Sequence, residues 1–423
     1  MNCCSERKYY SEASELSQDR SDDHRSTQFI DKNLLKEDVP LPAAVIYEAS
    51  LQNNLEWMQD FAQEHNIQLA PHGKTTMAPA LFKQQIDAGA WGMTLATAEQ
   101  VVVAYRHGIK QLLMANQLVG DANMHLISEV LDDPSVEFYC LVDSVENIQR
   151  LNDFYRCRGQ SLNVLIEIGS EQGRCGCVDE GTLEAVLSVL KVSNNIKLAG
   201  LEFYEGVLKD AEQIDHFLGR FEAIFNDLSE RAVFDTEQVL VTGAGSAWYD
   251  KVSTLFQRLV KPNVLCLIRP GCYLIHDKGL CDRGQQQILA RNTFAGQMKT
   301  KLTSSLEVCA YVLSKPSPNR IIVGLGKRDV AFDAGLPIPQ WSYRQSWPHQ
   351  KSIVGMQVKN LMDHHTYIDI DEETDVKVGD IIGFATSHPC LTLDKWSRLH
   401  LVDHELNIVD EVRTYFRPEV EIN

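Results

Sequence analysis

A lysine after a glycine is the first feature of this sequence that could do chemistry. Lys74 lies in the segment PHGKTT (71–76), directly after a short apolar run. A lysine that is desolvated at the end of a strand has a lowered pKa and can form a Schiff base with a carbonyl compound. A lone lysine is more often simply solvated, so both interpretations are open at this point.

A run of small residues is the second feature. The segment VTGAGS (241–246) contains Gly243, Gly245 and Ser246 and leads towards a helical stretch. Small residues before a helix let backbone N–H groups approach an anion, and the helix dipole favours negative charge there. Glycines at the end of a strand are more often simple turns. Together with Lys74, however, the run suggests a phosphate-bearing cofactor that takes a lysine Schiff base, namely pyridoxal 5'-phosphate (PLP).

A His-x-Cys pair is the third feature. His388 and Cys390 lie in SHPC (387–390), which we predict to be extended, so that both side chains point to one side of the strand. An imidazole and a thiolate together suit zinc. Two ligands do not complete a site, and the others would be water, substrate or other side chains. A stray histidine and cysteine are more often structural.

Two further groups of possible ligands are weaker. Cys175 and Cys177 flank a glycine but lack the second cysteine pair of a structural zinc site, so we interpret them as inert. His364 and His365 are adjacent, and adjacent residues point apart on a strand, so at most one of them can reach a site.

The elements that must position these residues alternate in type. From about residue 43, short apolar runs are followed by longer helical stretches such as LQNNLEWMQDFAQEH. After AAVIY come eight such runs: IQLAPH, WGMTLAT, QLLMAN, VEFYCLV, NVLIEIG, LAGLEFY, QVLVTG and VLCLIRP. Eight strands alternating with helices indicate a (β/α)8 TIM-type barrel of about 250 residues. A doubly wound sheet is the alternative, and the count of eight, with AAVIY outside, favours the barrel.

The barrel interpretation explains where the chemistry lies. Barrels place functional residues after the carboxyl ends of their strands, and often hold phosphate after strands seven and eight. Lys74 follows the first run and the small-residue segment ends the seventh.

The chain divides into three parts by texture. Residues 1–38 are polar and charged, and we predict a flexible tail. Residues 39–290 form the predicted barrel. Residues 291–423 read as strands and turns with little helix, and we predict a mostly β domain that carries the His-x-Cys motif. Its strand-like runs are LEVCAYVLSK, RIIVGLG, HTYIDI, DIIGFAT and LHLVDHELNIVDEV, and VKVGD is typical of a tight turn.

Composition excludes several classes of function. The 423 residues are 44% hydrophobic and 23% charged, with a formal net charge of -18. Such a negative protein is not expected to bind nucleic acid or anionic membranes. We find no transmembrane run and no secretory signal, and the eleven scattered cysteines are typical of reduced cytosolic thiols. We therefore expect a cytoplasmic protein.

Longer segments resemble a known family. AVIYEASLQNNLEWMQ, which runs into LAPHGKTTMAPALFKQQIDAGAWGMTLATAEQ, resembles the opening of the D-serine dehydratase and D-threonine aldolase group of PLP enzymes. That group shares the alanine-racemase-type barrel, called fold type III. Later landmarks match in order: GSEQGRCG (169–176), LEFYEG (201–206), VTGAGS, RPGCY (269–273) and SHPCLTLDKW (387–396). The resemblance covers roughly residues 40 to 416.

The resemblance implies roles for individual residues. Lys74 would carry PLP as a Schiff base, with His72 also at the cofactor. Arg174 would lie near the pyridine nitrogen, and Tyr204 would line the pocket. Gly243, Gly245 and Ser246 would bind the phosphate, helped by Tyr273 or its backbone neighbours. His388 and Cys390 would bind a divalent metal, with His365 nearby.

The resemblance also implies an activity. In the family the metal pair is His-x-Cys in dehydratases and His-x-Asp in D-threonine aldolases, so Cys390 favours a dehydratase. Family members often carry a histidine just after the Tyr-x-Gly segment, whereas this chain has Val207.

We therefore expect a PLP-dependent ammonia-lyase that converts a D-β-hydroxy-amino acid to a 2-keto acid with the help of a divalent metal, most simply zinc. D-serine, D-threonine and 3-hydroxyaspartate all fit as substrates. The alternatives are a D-threonine aldolase, an amino-acid racemase, a non-catalytic PLP-binding protein and a barrel without a cofactor. We also expect a homodimer in which each barrel mouth meets the β domain of the partner, because a metal in that domain must meet the cofactor.

Overall fold

A computed structural model describes residues 32–171 and 173–417 of the chain. The first strand, β1, is Ala43–Tyr47. The next eight strands form one parallel sheet: β2 (Gln68–Leu69), β3 (Met93–Leu95), β4 (Gln111–Gln117), β5 (Glu137–Val142), β6 (Leu162–Ile168), β7 (Ile196–Phe203), β8 (Val239–Gly243) and β9 (Val264–Ile268).

Helices follow these strands around the outside of the sheet. They are α1 (Glu48–Glu64), α2 (Pro79–Asp87), α3 (Ala98–Arg106), α4 (Asp121–Val130), α5 (Val145–Arg158), α6 (Glu180–Leu190), α7 (Ala211–Glu230), α8 (Tyr249–Leu259), α9 (Leu280–Arg291) and the short α10 (Thr293–Gln297). The apolar positions of each long helix recur at helical spacing and are buried against the sheet, as in α7, where Ile214, Phe217 and Phe221 are buried.

The parallel sheet curls into a barrel. Its strand order is β2-β9-β8-β7-β6-β5-β4-β3. The two ends of this order meet, because Trp91 N–H donates to the carbonyl of Leu69 over 2.8 Å and Thr94 N–H donates to that of Pro71 over 2.9 Å. All eight predicted barrel runs overlap one of these strands, and the predicted fold class is confirmed.

A second sheet of ten strands follows the barrel. Its later strands are β10 (Leu306–Ser317), β11 (Arg320–Val323), β12 (Ile338–Tyr343), β13 (Lys351–Ser352), β14 (Met356–Leu361), β15 (Thr366–Ile370), β16 (Ile381–Ala385), β17 (Arg398–Val402) and β18 (Ile408–Arg413). We did not predict β12, β13 and β14. The strand β12 contains a proline, β13 has two residues, and β14 (MQVKNL) is too polar to stand out as a strand.

The first strand belongs to this second sheet. β1 pairs antiparallel with β10 and parallel with β17, so the chain enters the β domain before it builds the barrel. Just before it, Leu34 is fully buried and its N–H donates to the carbonyl of Leu406 over 3.0 Å. The last residues of the predicted tail thus pack on the β domain, whereas residues 1–31 lie outside the described part of the chain. The domain boundaries themselves remain predictions.

The β domain packs against the mouth of the barrel of its own chain. Tyr415 N–H, just after β18, donates to the carbonyl of Met77 over 2.7 Å, in the loop that follows β2. Across residues 32–171 and 173–417, no helix is both long enough and apolar enough to cross a membrane.

Candidate active site

A cavity of about 460 Å³ lies between the carboxyl ends of the barrel strands and the β domain. Eight of the predicted site residues line it, namely His72, Lys74, Arg174, Tyr204, Gly245, Ser246, His388 and Cys390. Three other predicted residues, Gly243, Tyr273 and His365, do not line the cavity. Residues from 72 to 390 in the sequence are thus brought to one place, although their individual roles remain predictions.

Lys74 lies in a tight 3-10 turn, Gly73–Thr75, in the loop that follows the first barrel strand. A Cβ atom at Gly73 would lie 2.8 Å from the ring of Phe82, so the close packing of this turn requires glycine. The Lys74 side chain opens into the cavity, but the surrounding protein desolvates it. Burial lowers the pKa of Lys74, opposed in part by the nearby Cys390. A lysine with a lowered pKa suits Schiff-base chemistry.

His72 lies beside Lys74 with its ring held inside the protein. Its Nδ1 is buried and has no hydrogen-bond partner among the described residues. Burial, followed by the charge of Lys74, lowers the pKa of His72 well below its ordinary value, so the ring is neutral. Gly271, after β9, packs so closely on this loop that a Cβ there would lie 2.6 Å from the carbonyl oxygen of His72.

The small-residue segment after β8 is partly used for its own structure. A Cβ at Gly243 would lie 2.5 Å from the ring of Phe203, so this glycine serves packing. The N–H groups of Ala244 and Gly245 donate to the buried carboxylate of Glu205 over 3.1 and 2.8 Å. Of the predicted phosphate contacts, Ser246 is the one that lines the cavity without this competing bond, three residues before α8 begins.

Tyr273 points away from the cavity. Its hydroxyl accepts a hydrogen bond from the Gln85 amide over 2.9 Å, and the ring is buried. Its backbone neighbours Gly271 and Cys272 do line the cavity, and these are the part of the prediction that the geometry supports.

Two arginines line the cavity in different settings. Arg174 is exposed at the mouth, with its guanidinium 4.3 Å from the ring centroid of Tyr204. Arg269 is buried at the end of β9, where it forms an ion pair with Glu202 and donates to the carbonyl of Phe203 over 2.9 Å. Arg269 was not among the predicted site residues, although its place at the end of a barrel strand was a usable signal.

Carboxylates at the ends of neighbouring barrel strands also converge here. Glu167 accepts from the Gln117 amide over 2.7 Å, and the same amide nitrogen lies 3.1 Å from Asp143. Burial, followed by repulsion from Glu202, raises the pKa of Glu167 to about 7. Possible ligand atoms of Asp143, Glu167 and Cys175 lie within 4.8 Å of one another. Because the Gln117 amide already links the two carboxylates, we interpret this group as a polar network.

The predicted metal pair has a different local structure from the one expected. His388 is the residue that precedes a short helix, α11 (Pro389–Leu393), and Cys390 lies in the first turn of that helix. The prediction of an extended segment with both side chains on one side was therefore wrong. Proline at the first helical position starts the helix and interrupts the strand-like pattern. Both side chains nevertheless reach the cavity.

A carboxylate orients His388. Its Nδ1 lies 2.8 Å from the Asp333 carboxylate, so Nδ1 carries a hydrogen and Nε2 is left for another partner. The imidazole faces the Cys390 thiol, and this contact, together with Asp333, raises the pKa of His388 to about 9. A metal-bound histidine usually has such a carboxylate behind it.

The metal pair and the lysine loop are in direct contact. The Sγ atom of Cys390 lies 3.5 Å from Oγ1 of Thr75, the residue next to Lys74. The cysteine that was predicted to bind metal thus lies beside the loop that was predicted to hold the cofactor, within one chain.

The weaker candidates lie elsewhere or have other partners. His365 is exposed and does not line the cavity, and Nδ1 of His364 lies 3.9 Å from Asp329. Cys175 lines the cavity, whereas Cys177 is buried with its sulfur 3.8 Å from the carbonyl of Asp143.

Comparisons with known proteins agree with this architecture. Residues 46–276 match the model of the alanine racemase N-terminal domain, and residues 305–402 match that of a putative serine dehydratase domain. A D-threonine aldolase of Arthrobacter sp. is 25% identical over 305 residues, which cover 71% of this chain and 75% of that protein. D-threo-3-hydroxyaspartate dehydratase of Delftia sp. is 27% identical over 168 residues, 39% of this chain and 43% of that protein.

Solved structures share the fold. D-threonine aldolase from Filomicrobium marinum superimposes with a TM-score of 0.72 at 22% identity, covering 89% of this chain and 95% of that chain. A cysteine-to-alanine mutant of D-threo-3-hydroxyaspartate dehydratase in a metal-free form gives 0.70 at 19% identity, covering 90% and 99%.

The chain belongs to the alanine racemase-like, fold type III family of PLP enzymes. Its relatives include D-threonine aldolases and D-threo-3-hydroxyaspartate dehydratase.

Proposed function

We propose that this protein is a PLP-dependent lyase that eliminates ammonia from a D-β-hydroxy-amino acid, with the help of a divalent metal. The observation that carries the proposal is the 3.5 Å contact between Cys390 and Thr75, which brings a soft metal-ligand pair next to the lysine of a PLP family. A cofactor on Lys74 and a metal on His388 and Cys390 would then act on one small substrate.

The side chains that line the cavity are chemically suited to PLP. Three residues that line it each carry a buried polar atom that lacks a partner among the described residues: Nδ1 of His72, Nε of Arg269 and Oε2 of Glu202. A polar ligand in the cavity would lie beside these groups and could take up part of their hydrogen-bonding capacity. Lys74 would carry the cofactor, and Ser246 and the backbone at Gly271 would face its phosphate.

The metal fits the other side of the cavity. Thiolate and imidazole ligands favour zinc over magnesium or calcium, and Asp333 orients the imidazole in the way that metal-bound histidines require. Mutants of the Delftia-type dehydratase at a histidine and at a cysteine two positions later have been solved, the latter in a metal-free form. This supports a divalent metal at the same spacing in the present chain.

Each residue then has a defined task. When bound, PLP stabilises negative charge at the substrate Cα, and the metal acts as a Lewis acid on the β-hydroxyl, which is a poor leaving group. Lys74 Nζ, with its lowered pKa, accepts the α-proton. Arg269 and Glu202 keep a fixed ion pair at the floor, and Thr75 holds Cys390 against the lysine loop.

Product analysis tests the proposal. D-serine and D-threonine should each yield a 2-keto acid and ammonia, and a chelator should stop this reaction while the visible absorption of the lysine Schiff base persists. Ammonia release at the same rate in chelator would remove the metal from the mechanism.

Retro-aldol cleavage is the second candidate, and the 25% identical D-threonine aldolase favours it. That reaction would release glycine and an aldehyde. Val207 stands where family members often carry a histidine, which argues for elimination. Glycine as the main product from D-threonine would decide for the aldolase.

We also propose a homodimer. From the sequence we expected one because the metal pair was thought to reach the barrel of the partner, and the present reason is a different one. The metal pair meets the barrel mouth of its own chain, so no partner is needed for that contact. However, Leu280 lines the cavity, Leu391 follows Cys390 and Phe332 precedes Asp333, and these three side chains are 40–52% exposed. Exposed large apolar groups around a cavity are typical of a surface that a partner covers. Light scattering should report twice the mass of the chain, and Phe332→Glu should weaken the dimer.

A further inference from the structure

A row of thiols extends from the proposed metal pair into the barrel. Cys390 Sγ lies 3.5 Å from Cys272 Sγ, and Cys281 is the next neighbour of Cys272. All three cysteines line the cavity. Cys272 comes from the loop after β9 and Cys390 from α11 of the β domain, so the two thiols meet across the junction of the two sheets.

Building on the proposed function, we propose that Cys272 is a third protein ligand of the metal held by His388 and Cys390. The spacing of the two sulfurs supports this. Two thiolates on one tetrahedral zinc, each bonded at about 2.3 Å, lie about 3.7 Å apart. The observed 3.5 Å is close to that separation.

The surroundings of the two sulfurs support the same assignment. Thr75 Oγ1 lies 3.5 Å from Cys390 Sγ and 3.8 Å from Cys272 Sγ, so one hydroxyl holds both thiols. On the far side of Cys390, His388 is fixed by Asp333, and its imidazole faces the Cys390 thiol. Cys390 is thus flanked by an oriented imidazole and a second thiol, two ligand types that zinc takes readily.

One side-chain movement is required. As placed, the possible ligand atoms of His388, Cys390 and Cys272 do not all lie within 4.8 Å of one another. Among the described residues, the group that meets this distance limit is Asp143, Glu167 and Cys175. A cysteine side chain has a single rotatable bond to its sulfur, and a rotation about it changes the sulfur position without moving the backbone. The two thiols belong to separate elements, the loop after β9 and the short helix α11, so each side chain can adjust independently.

The assignment changes what the metal can do. Two thiolates and one imidazole leave one open position on a tetrahedral zinc, which is enough for the β-hydroxyl of a substrate. The two thiolates also balance the charge of the ion. We therefore expect a site that selects soft ions such as zinc, cobalt and cadmium over manganese or magnesium.

X-ray absorption of the zinc-loaded wild-type protein tests the proposal without any substitution. We expect two sulfur ligands and at least one nitrogen ligand. A single sulfur would overturn the role of Cys272 and leave the His388–Cys390 pair standing. A protein that binds no zinc under any condition would overturn the pair as well, so the two failures are distinguishable.

Cobalt substitution gives a second measurement. Each thiolate contributes to the sulfur-to-cobalt charge-transfer band, so Cys272→Ser should lose about half of its intensity and weaken zinc binding about tenfold or more. Cys281→Ser, one place further along the row, is the matched control and should keep the full band. An unchanged band in Cys272→Ser, or a Cys272–Cys390 disulfide in the protein as isolated, would contradict the proposal.

Discussion

Lys74 and Cys390 lie on two sides of one cavity, and they reach it by different structural routes. Lys74 follows the first strand of a barrel, in a turn held by local packing of Gly73 on Phe82. Cys390 lies in a helix of five residues, and its contacts come from distant parts of the chain, such as Thr75 and Cys272. The lysine side is therefore set by topology, whereas the cysteine side is set by contacts between the two domains.

The comparison predicts that the two sides fail independently. Lys74→Ala should abolish the Schiff base completely, so that borohydride no longer attaches the cofactor to the chain. Zinc binding should be retained, because Lys74 is not one of the proposed zinc ligands. Mass spectrometry after borohydride and metal analysis check the two outcomes. A trapped adduct on the Lys74→Ala protein would mean that another lysine carries the cofactor.

Cys390→Ala is the converse test. Elimination of ammonia should fall about 100-fold or more, since Lewis-acid help to a leaving hydroxide is worth several kcal/mol. The visible absorption of the Lys74 Schiff base should remain. Activity assays with D-serine and absorption spectra of the same sample measure both. Loss of the Schiff base in this variant would show that the two sides are not separable.

The same contrast explains what the sequence could predict. Every barrel run overlapped a strand, because buried parallel strands give continuous apolar runs such as VLCLI and are punctuated by amphipathic helices. The rule that chemistry follows the strand ends then located Lys74 correctly at the cavity. The helix that starts after His388 was missed, because the pattern of polar and apolar residues gave no helical period over so few residues.

Residues that act through tertiary partners were the least predictable. Asp333 is 55 residues from His388, and Cys272 is 118 residues from Cys390, so no spacing rule joins them. Gly243 and Gly245 were assigned to phosphate binding from the local sequence pattern. In the structure, Gly243 packs on the ring of Phe203, and the N–H of Gly245 donates to the carboxylate of Glu205. Glycines near a site can thus serve the fold rather than the ligand.

Asp333→Asn should have an intermediate effect on the cysteine side alone. The carboxylate orients the His388 ring and raises the basicity of its other nitrogen, and loss of such a group typically weakens metal binding about 10- to 100-fold. A competition titration with a zinc chelator measures the affinity. Asp333→Glu is the control and should recover part of it. Unchanged affinity in both variants would mean that His388 is not a ligand.

The smallest expected effect concerns the floor of the cavity, where Glu167 is 6% exposed. Burial and the neighbouring Glu202 raise the pKa of Glu167 to about 7, above the ordinary value of 4.5. Below pH 4.5 the folded and unfolded states are both protonated at this group, so it has no effect on stability. Between pH 4.5 and 7 the unfolded chain ionises first, and the folded protein is destabilised as the pH rises.

Glu167→Gln removes that ionisation while keeping an acceptor for the Gln117 amide. The ceiling on the gain is about 3 kcal/mol at pH 8, since each pKa unit corresponds to about 1.4 kcal/mol. Coupling to Glu202 reduces it, and we expect about 1 kcal/mol at pH 8 and almost none at pH 4.5. Urea denaturation at both pH values measures the difference, with Asp60→Asn on the exposed face of α1 as the control. An equal gain in the free energy of unfolding at both pH values would show that packing, rather than the buried charge, causes the difference between the two proteins.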